Sequence, residues 1–290
     1  MDTLIIRASD TIANPIYGKV PDLSSDLRLV IDVRELSKTY NYGDRVPYID
    51  AGILGYAPPS EKIFDKNLNY NYSSPVDGYP NFPLYTEELG FPTLKFSGFE
   101  GIAQDSSIPE SGTVVTTATY VCLVQSDTQN GANNRIFSGD TSDTAHPDLG
   151  VYSDRNYHSV SAYVGTNNMT MAVGKDIREG NQDTTPAATI KYTRRVSEEP
   201  QVMVFVFDGE NSFAVFGESA STKYNVDMPP AANDHLRLGS YGPMTKKGDT
   251  FFGHIGYFAQ YSRAFTFEEA QAAIVKLSRE FGLSNGLEIG

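Results

Sequence analysis

Strand signals crowd the chain after Thr93. The runs TLKFSG, TTATYVCLVQ, NRIFSG, LGVYS, HSVSAYVG, MTMAVG, ATIKY, QVMVFVFDGENSFAVFGE, HLRLGSY and FFGHIGYFAQYS follow one another, joined by Gly, Asn and Asp clusters. In several of them apolar residues alternate with polar or small ones, the period of a strand with one buried face. Short strands at that spacing predict a sandwich or barrel. The plainest hairpin centres on Asp208-Gly209, where two β-branched and aromatic runs flank a four-residue polar turn. Further upstream, DLRLVIDV from Asp26 predicts one more buried strand.

Near the C-terminus the period changes. Thr266 is placed to accept from the backbone N–H of Glu269 while the Glu269 side chain reaches back, a capping box. Ala270, Ala273, Ile274, Leu277 and Phe281 then recur every three or four residues, and Gly282 stands as the stop. The pattern predicts one amphipathic helix with its stripe docked on the core.

Two segments resist this reading. Residues 1–25 hold one apolar patch, TLIIRA, followed by Pro15 and Pro21, and are expected to form an arm. Residues 40–92 are rich in Tyr, Asn, Pro and Gly, and a loop of that length is usually functional or ordered by a partner. Its tyrosines Tyr40, Tyr42, Tyr70, Tyr72, Tyr79 and Tyr85, with Tyr48 and Tyr56, offer rigid contact area with a polar tip. They are candidate interface residues, and some are equally able to seal the sandwich.

Composition narrows the partners. The 290 residues are 40% hydrophobic, without Trp, which is enough for a packed core. A net charge of −13 argues against nucleic acid, whose binding rests on clustered Lys and Arg. The single Cys122 lies in an apolar run and reads as a small core residue. The N-terminus lacks the pattern of a signal peptide and no 18-residue apolar run occurs, so synthesis in the cytoplasm without export or membrane insertion is expected.

The closing segment, with Gly253, Ile255, Tyr261, Arg263, Ala264, Phe265, Thr266, Glu268 and Glu269 ahead of Phe-Gly-Leu, resembles that of the laminin-G-like, concanavalin A-like jelly-roll superfamily. DLRLVIDVRELS with YGDRVPYIDA resembles the opening of that family, and GFPTLKFSG its Gly-x-Pro-x-Leu-x-Phe-Asp-Gly strand. Tyr48 stands where the family usually has Trp and Ser97 where it usually has Asp, the marks of a distant member. The resemblance spans about residues 26–283. It implies an all-β fold, a concanavalin A-like two-sheet antiparallel jelly-roll sandwich with one short C-terminal helix, in a single domain over 26–290. It also implies that the closing strand completes a sheet and that the helix covers an edge or end of the sandwich.

Catalytic patterns are missing. No string of the Glu-x-Asp-x-x-Glu or Glu-x-Asp-x-Glu type provides the paired carboxylates of a glycosidase on this scaffold. The adjacent acids Glu87-Glu88, Glu198-Glu199 and Glu268-Glu269 read as solvated charge or caps. There is no Gly-x-Ser-x-Gly elbow, and His146, His158, His235 and His254 are scattered without zinc-ligand spacing. No enzyme, metal or cofactor is expected. Asp140, Asp143 and Asp148 share an oxygen-rich loop of the kind that can hold Ca²⁺, but without the alternating Asp-x-Asp-x-Asp-Gly loop. Tyr152, Asp154, Asn156, Tyr157 and His158 combine stacking faces with polar acceptors and are the candidate carbohydrate site.

A non-enzymatic jelly roll with a Pro-containing arm and a long aromatic loop resembles proteins that decorate bacteriophage particles on the capsid, fibre or tail. The resemblance implies a virion structural protein contacting other virion proteins, its own copies as a homo-oligomer, and host-surface glycan. The alternative is a lectin module that binds carbohydrate; a glycan-cleaving enzyme is held in reserve. This step is an analogy of fold.

Overall fold

The central strands carry apolar side chains on both faces, and the architecture follows from hiding both. The structure, a computed structural model, describes residues 26–46, 49, 83–97, 102–103, 113–115, 117–127, 134–139, 158–165, 168–174, 186–192, 199–217, 220, 223–226, 231–233, 236–239 and 251–283. Strands β1 (Leu27–Asp32), β2 (Leu84–Thr86), β3 (Thr93–Ser97), β4 (Ile102–Ala103), β5 (Thr113–Val115), β6 (Ala118–Ser126), β7 (Asn134–Gly139) and β8 (His158–Gly165) come first. Then follow β9 (Asn168–Gly174), β10 (Pro186–Tyr192), β11 (Gln201–Phe207), β12 (Ser212–Phe216), β13 (Tyr224–Val226), β14 (Ala231–Asn233), β15 (Leu236–Leu238), β16 (Phe252–Tyr261) and helix α1 (Phe267–Glu280).

They form two sheets. The first runs β13-β12-β11-β6-β16-β3-β2, with β1 also on β16; the second runs β10-β9-β8-β7-β15-β4, with β14 and β5 attached through β8. Pairing is antiparallel among the described residues, except that β14 runs parallel to β8. The expected all-β two-sheet sandwich with one C-terminal helix is what forms.

The apolar interior lies between the sheets. Tyr120, Cys122 and Val124 of β6, Met203, Phe205 and Phe207 of β11, and Phe258 of β16 meet Ile136 and Phe137 of β7, Ala162 of β8 and Leu238 of β15. Phe137 is the hub, its ring 4.5 Å from Tyr120 and 5.6 Å from both Phe205 and Phe258. Burying each such ring contributes about 1.5–3 kcal/mol. This cluster fills the centre of a sandwich that has no Trp.

The other face of the first sheet is covered by the helix. Val121, Leu123, Val202, Val204, Val206, Phe213 and Val215 point away from the interior and pack on Ala270, Ala273, Ile274, Leu277 and Phe281. This corrects the expectation that the helix covers an edge or end. A sheet so apolar on its outer side needs a lid over its face, and strands covered on both sides read as unbroken apolar runs, as QVMVFVF does.

The helix ends are built as expected. Thr266 Oγ1 accepts from Glu269 N–H at 3.2 Å, and the Thr266 N–H donates to Glu269 Oε2 at 2.8 Å. Glu269 also receives both guanidinium arms of Arg263, at 2.6 and 2.9 Å, and Arg263 Nε reaches Asp26 Oδ2 at 2.9 Å. The Arg and Glu of the closing motif therefore tie the helix start to the residue ahead of β1. At the far end the N–H of Gly282 donates to Arg279 O (3.1 Å) and that of Leu283 to Ser278 O (2.7 Å), the Schellman pattern.

The closing strand completes its sheet from the inside. One edge of β16 pairs along its length with β6; the other is divided, residues 252–255 pairing with β3 and 257–261 with β1. Register slips between Ile255 and Tyr257 on the β6 side, a bulge near the point where the two partners change over. The motif glycine Gly253 holds φ +142°, and a Cβ there would stand 2.1 Å from the Gln125 carbonyl oxygen. Only glycine fits.

Residues 40–92 are not loop throughout. Gly43 N–H donates to Tyr85 O (2.8 Å), Tyr85 N–H to Asp44 O (2.9 Å) and Val46 N–H to Pro83 O (2.9 Å). Both ends of the segment are thus zipped together, and its C-terminal end adds β2 to the sheet. The arm 1–25, most of residues 47–82 and the Asp140, Asp143 and Asp148 loop lie outside the described residues.

Candidate functional site

The zipped stem presents a tyrosine to solvent. β1 ends at Asp32, whose carboxylate accepts from Arg34 N–H (3.1 Å) and starts a 3-10 turn over Val33–Lys38. The chain then makes a tight turn, Asn41-Tyr42-Gly43-Asp44, closed by Asp44 N–H on Asn41 O at 3.0 Å. Gly43 takes φ +96° at the third position, as a type II turn requires. Asp44 Oδ2 closes the turn a second time by accepting from Asn41 N–H (2.8 Å) and Asn41 Nδ2 (3.4 Å).

Tyr42 stands at the tip. Its ring rests on that of Tyr85, with centroids 4.9 Å apart and planes tilted by 32°. Tyr85 is 1% exposed and Tyr42 51%, the large apolar side chain most open to solvent among the described residues. Burial, reinforced by Tyr42 alongside, pushes the Tyr85 hydroxyl up to about 12, so it stays neutral. The result is an open aromatic face on a rigid support, with Asn41 and the exposed Asp44 carboxylate beside it.

This arrangement divides the expected interface tyrosines. Tyr42 is exposed; Tyr40 is half-buried against the interior cluster; Tyr85 belongs to that cluster and seals the sandwich, withdrawn from any surface. Tyr70, Tyr72 and Tyr79 lie outside the described residues, as do Tyr152, Asp154, Asn156 and Tyr157 of the candidate carbohydrate site, while His158 is the first residue of β8. Asn41 and Asp44 were not singled out from sequence. Their signal was the turn string Asn-Tyr-Gly-Asp.

A second polar group lies on the helix side of the first sheet. His254 Nδ1 is 2.9 Å from Thr93 Oγ1, which donates to Thr86 O at 3.4 Å, and His254 Nε2 is 3.7 Å from Glu88 Oε2. Lys95 Nζ bonds both Glu88 oxygens, at 2.9 and 2.7 Å, and holds that carboxyl below its usual range. Burial moves His254 below its ordinary value, against the opposing pull of Glu88. Hydroxyl, imidazole and carboxylate stand in line, but Thr93 is fully buried and no substrate could reach its oxygen. The group is structural. Sequence spacing gave no sign of it, because Thr93 and His254 are 161 residues apart on neighbouring strands.

Among the described residues no group of three or more His, Cys, Asp or Glu is placed to hold a metal ion, and no helix is long and apolar enough to cross a membrane. Cys122 is fully buried, its thiol pushed well above the ordinary value by desolvation.

No family model and no curated protein sequence matches the chain. Solved structures of similar fold include the CBM40 of the Ruminococcus gnavus IT-sialidase bound to α2,3-sialyllactose, at 13% identity and TM-score 0.44 over 63% of this chain and 96% of that one. Another is domain 4 of a GH43 extracellular arabinanase from Geobacillus stearothermophilus in complex with arabinotriose, at 11% and 0.49 over 86% and 99%. A third is the Trypanosoma rangeli sialidase in complex with 2,3-difluorosialic acid, at 11% and 0.47 over 93% of this chain and 36% of that one.

Proposed function

We propose that this chain is a carbohydrate-binding β-sandwich module that binds glycan without cleaving it and without a metal or cofactor. The observation that carries the reading is Tyr42: a half-exposed ring, held rigid by a buried one, beside polar groups able to hydrogen-bond a sugar. Aromatic rings with a polar surround suit a sugar, which is apolar on its ring faces and polar at its rim. Domains of similar fold were solved with sialyllactose and with arabinotriose, but the reading rests on Tyr42 and not on them.

The test is binding of the full chain to an array of immobilised polysaccharides, repeated with Tyr42→Ala and with the double variant Tyr152→Ala/Tyr157→Ala. Loss of about tenfold in affinity with Tyr42→Ala is expected, the order of one aromatic contact and its buried area. Loss confined to the double variant would move the site to residues 152–158.

The same ring supports a second reading, the subunit contact of a bacteriophage virion protein, because a tyrosine left half uncovered in one chain is what another copy would bury. Light scattering on the full chain and on a version lacking residues 1–25 separates the two. A monomer that keeps its glycan affinity supports the module; a defined oligomer that dissociates without the arm supports the virion role.

A further inference from the structure

We infer that the Tyr42 platform takes an uncharged saccharide, one sugar face stacked on the ring and a hydroxyl donated to the Asp44 carboxylate, and that it rejects acidic sugars. The inference rests on the carbohydrate-binding reading and specifies its ligand class.

Three observations point this way. First, the exposed Asp44 carboxylate beside the ring accepts and does not donate, and it already holds the neighbouring Asn41 amide. Asp44 Oδ2 is held by the Asn41 N–H and Nδ2, while Oδ1 takes no bond among the described residues. A carboxylate oxygen fixed in this way suits a sugar hydroxyl, which has a proton to give; the carboxylate of a uronic or sialic acid has none.

Second, the described cations beside the platform in sequence are already engaged. Lys38 is bonded to Glu35, and Arg45 is not free. Two residues beyond Tyr85, the exposed Glu87 adds negative potential strong enough to raise the hydroxyl of that tyrosine further. Third, the whole chain carries −13, so an anionic glycan approaches against both the local and the overall field. At physiological salt the screening length is about 8 Å, which leaves the repulsion from Asp44 largely intact at contact distance.

The experiment is calorimetric titration of the full chain with matched pairs: lactose against 3′-sialyllactose, and neutral xylo-, arabino- and gluco-trisaccharides against trigalacturonate, each at low and high salt. Thermal melts of Tyr42→Ala and Asp44→Asn establish that both fold. A neutral sugar is expected to bind, to bind at least tenfold more weakly to Tyr42→Ala, and to outbind its acidic counterpart. Asp44→Asn narrows that gap, and so does added salt. An acidic sugar that binds more tightly than its neutral partner and depends on Tyr42 would overturn the inference while leaving the carbohydrate-binding reading in place. Neutral-sugar binding indifferent to both substitutions would overturn the site, and an absence of binding by every sugar would overturn both.

Discussion

At Gly253 the Cα has room for a hydrogen atom and nothing larger. Its φ of +142° is open to glycine, and an added methyl group would lie 2.1 Å from the Gln125 carbonyl oxygen, on backbone that cannot swing aside. Gly253→Ala should therefore cost about 2–4 kcal/mol, combining backbone strain with overpacking. It should appear as a lower urea midpoint with an unchanged slope. The residue was visible in the sequence as part of a motif, but its reason was not, because the contact is made with a strand more than a hundred positions away. Tyr42 shows the opposite case. Its presence in a tyrosine-rich stretch was legible, yet which tyrosines face water and which face the core depends on the pairing of residues 43–46 with 83–85, and no local pattern records that.

Among the elements, those whose code is local were read correctly. The capping box, the apolar stripe and the glycine stop of α1 all lie within 18 residues and all appear as expected. Thr266→Ala removes the cap acceptor and should lower stability by about 1 kcal/mol, measured by chemical denaturation. The hairpin at 208–211 forms as expected, with Ser212 Oγ accepting from Asp208 N–H and donating to Gly209 O. The two- and three-residue strands β2, β4, β5, β13 and β14 were missed, being too short to show a period.

The β3–β16 pair carries a pH dependence of its own. A histidine kept neutral by burial binds fewer protons folded than unfolded. The stability His254 contributes is thus complete above its unfolded value of about 6.5 and is lost as pH falls through the lower folded value. Thermal melts from pH 7.5 to 5 should show a steeper decline for the natural chain than for His254→Gln, which keeps a polar partner for Thr93. Equal slopes would show that burial leaves the proton affinity of this imidazole unchanged.

For the molecule as a whole, one sheet serves two cores. Its inner face packs on the second sheet and its outer face on the helix, so loss of that shared sheet opens both apolar clusters at once. Phe137→Ala, in the interior, should cost about 3–5 kcal/mol and Ile274→Ala, under the helix, about 2–5 kcal/mol. Both variants should still unfold in one transition by calorimetry and by far-UV circular dichroism. Separate transitions would mean that the helix peels away before the sandwich opens. The outer core was hard to foresee because alternation was expected, whereas β11 and β12 are buried along their whole lengths.

The divided edge of β16 also sets a timetable for synthesis. The strand that joins β6, β3 and β1 consists of residues 252–261, and β1 pairs with positions about 230 residues downstream of itself. Until those residues have emerged from the ribosome, β1 lacks its partner among the described strands and β6 has one side unpaired. Contacts this distant in sequence form slowly, and unpaired apolar edges invite association with other nascent chains. A chain halted before residue 250 would therefore lack the middle of its own sheet, and the first sheet cannot close until residues 252–261 have been made.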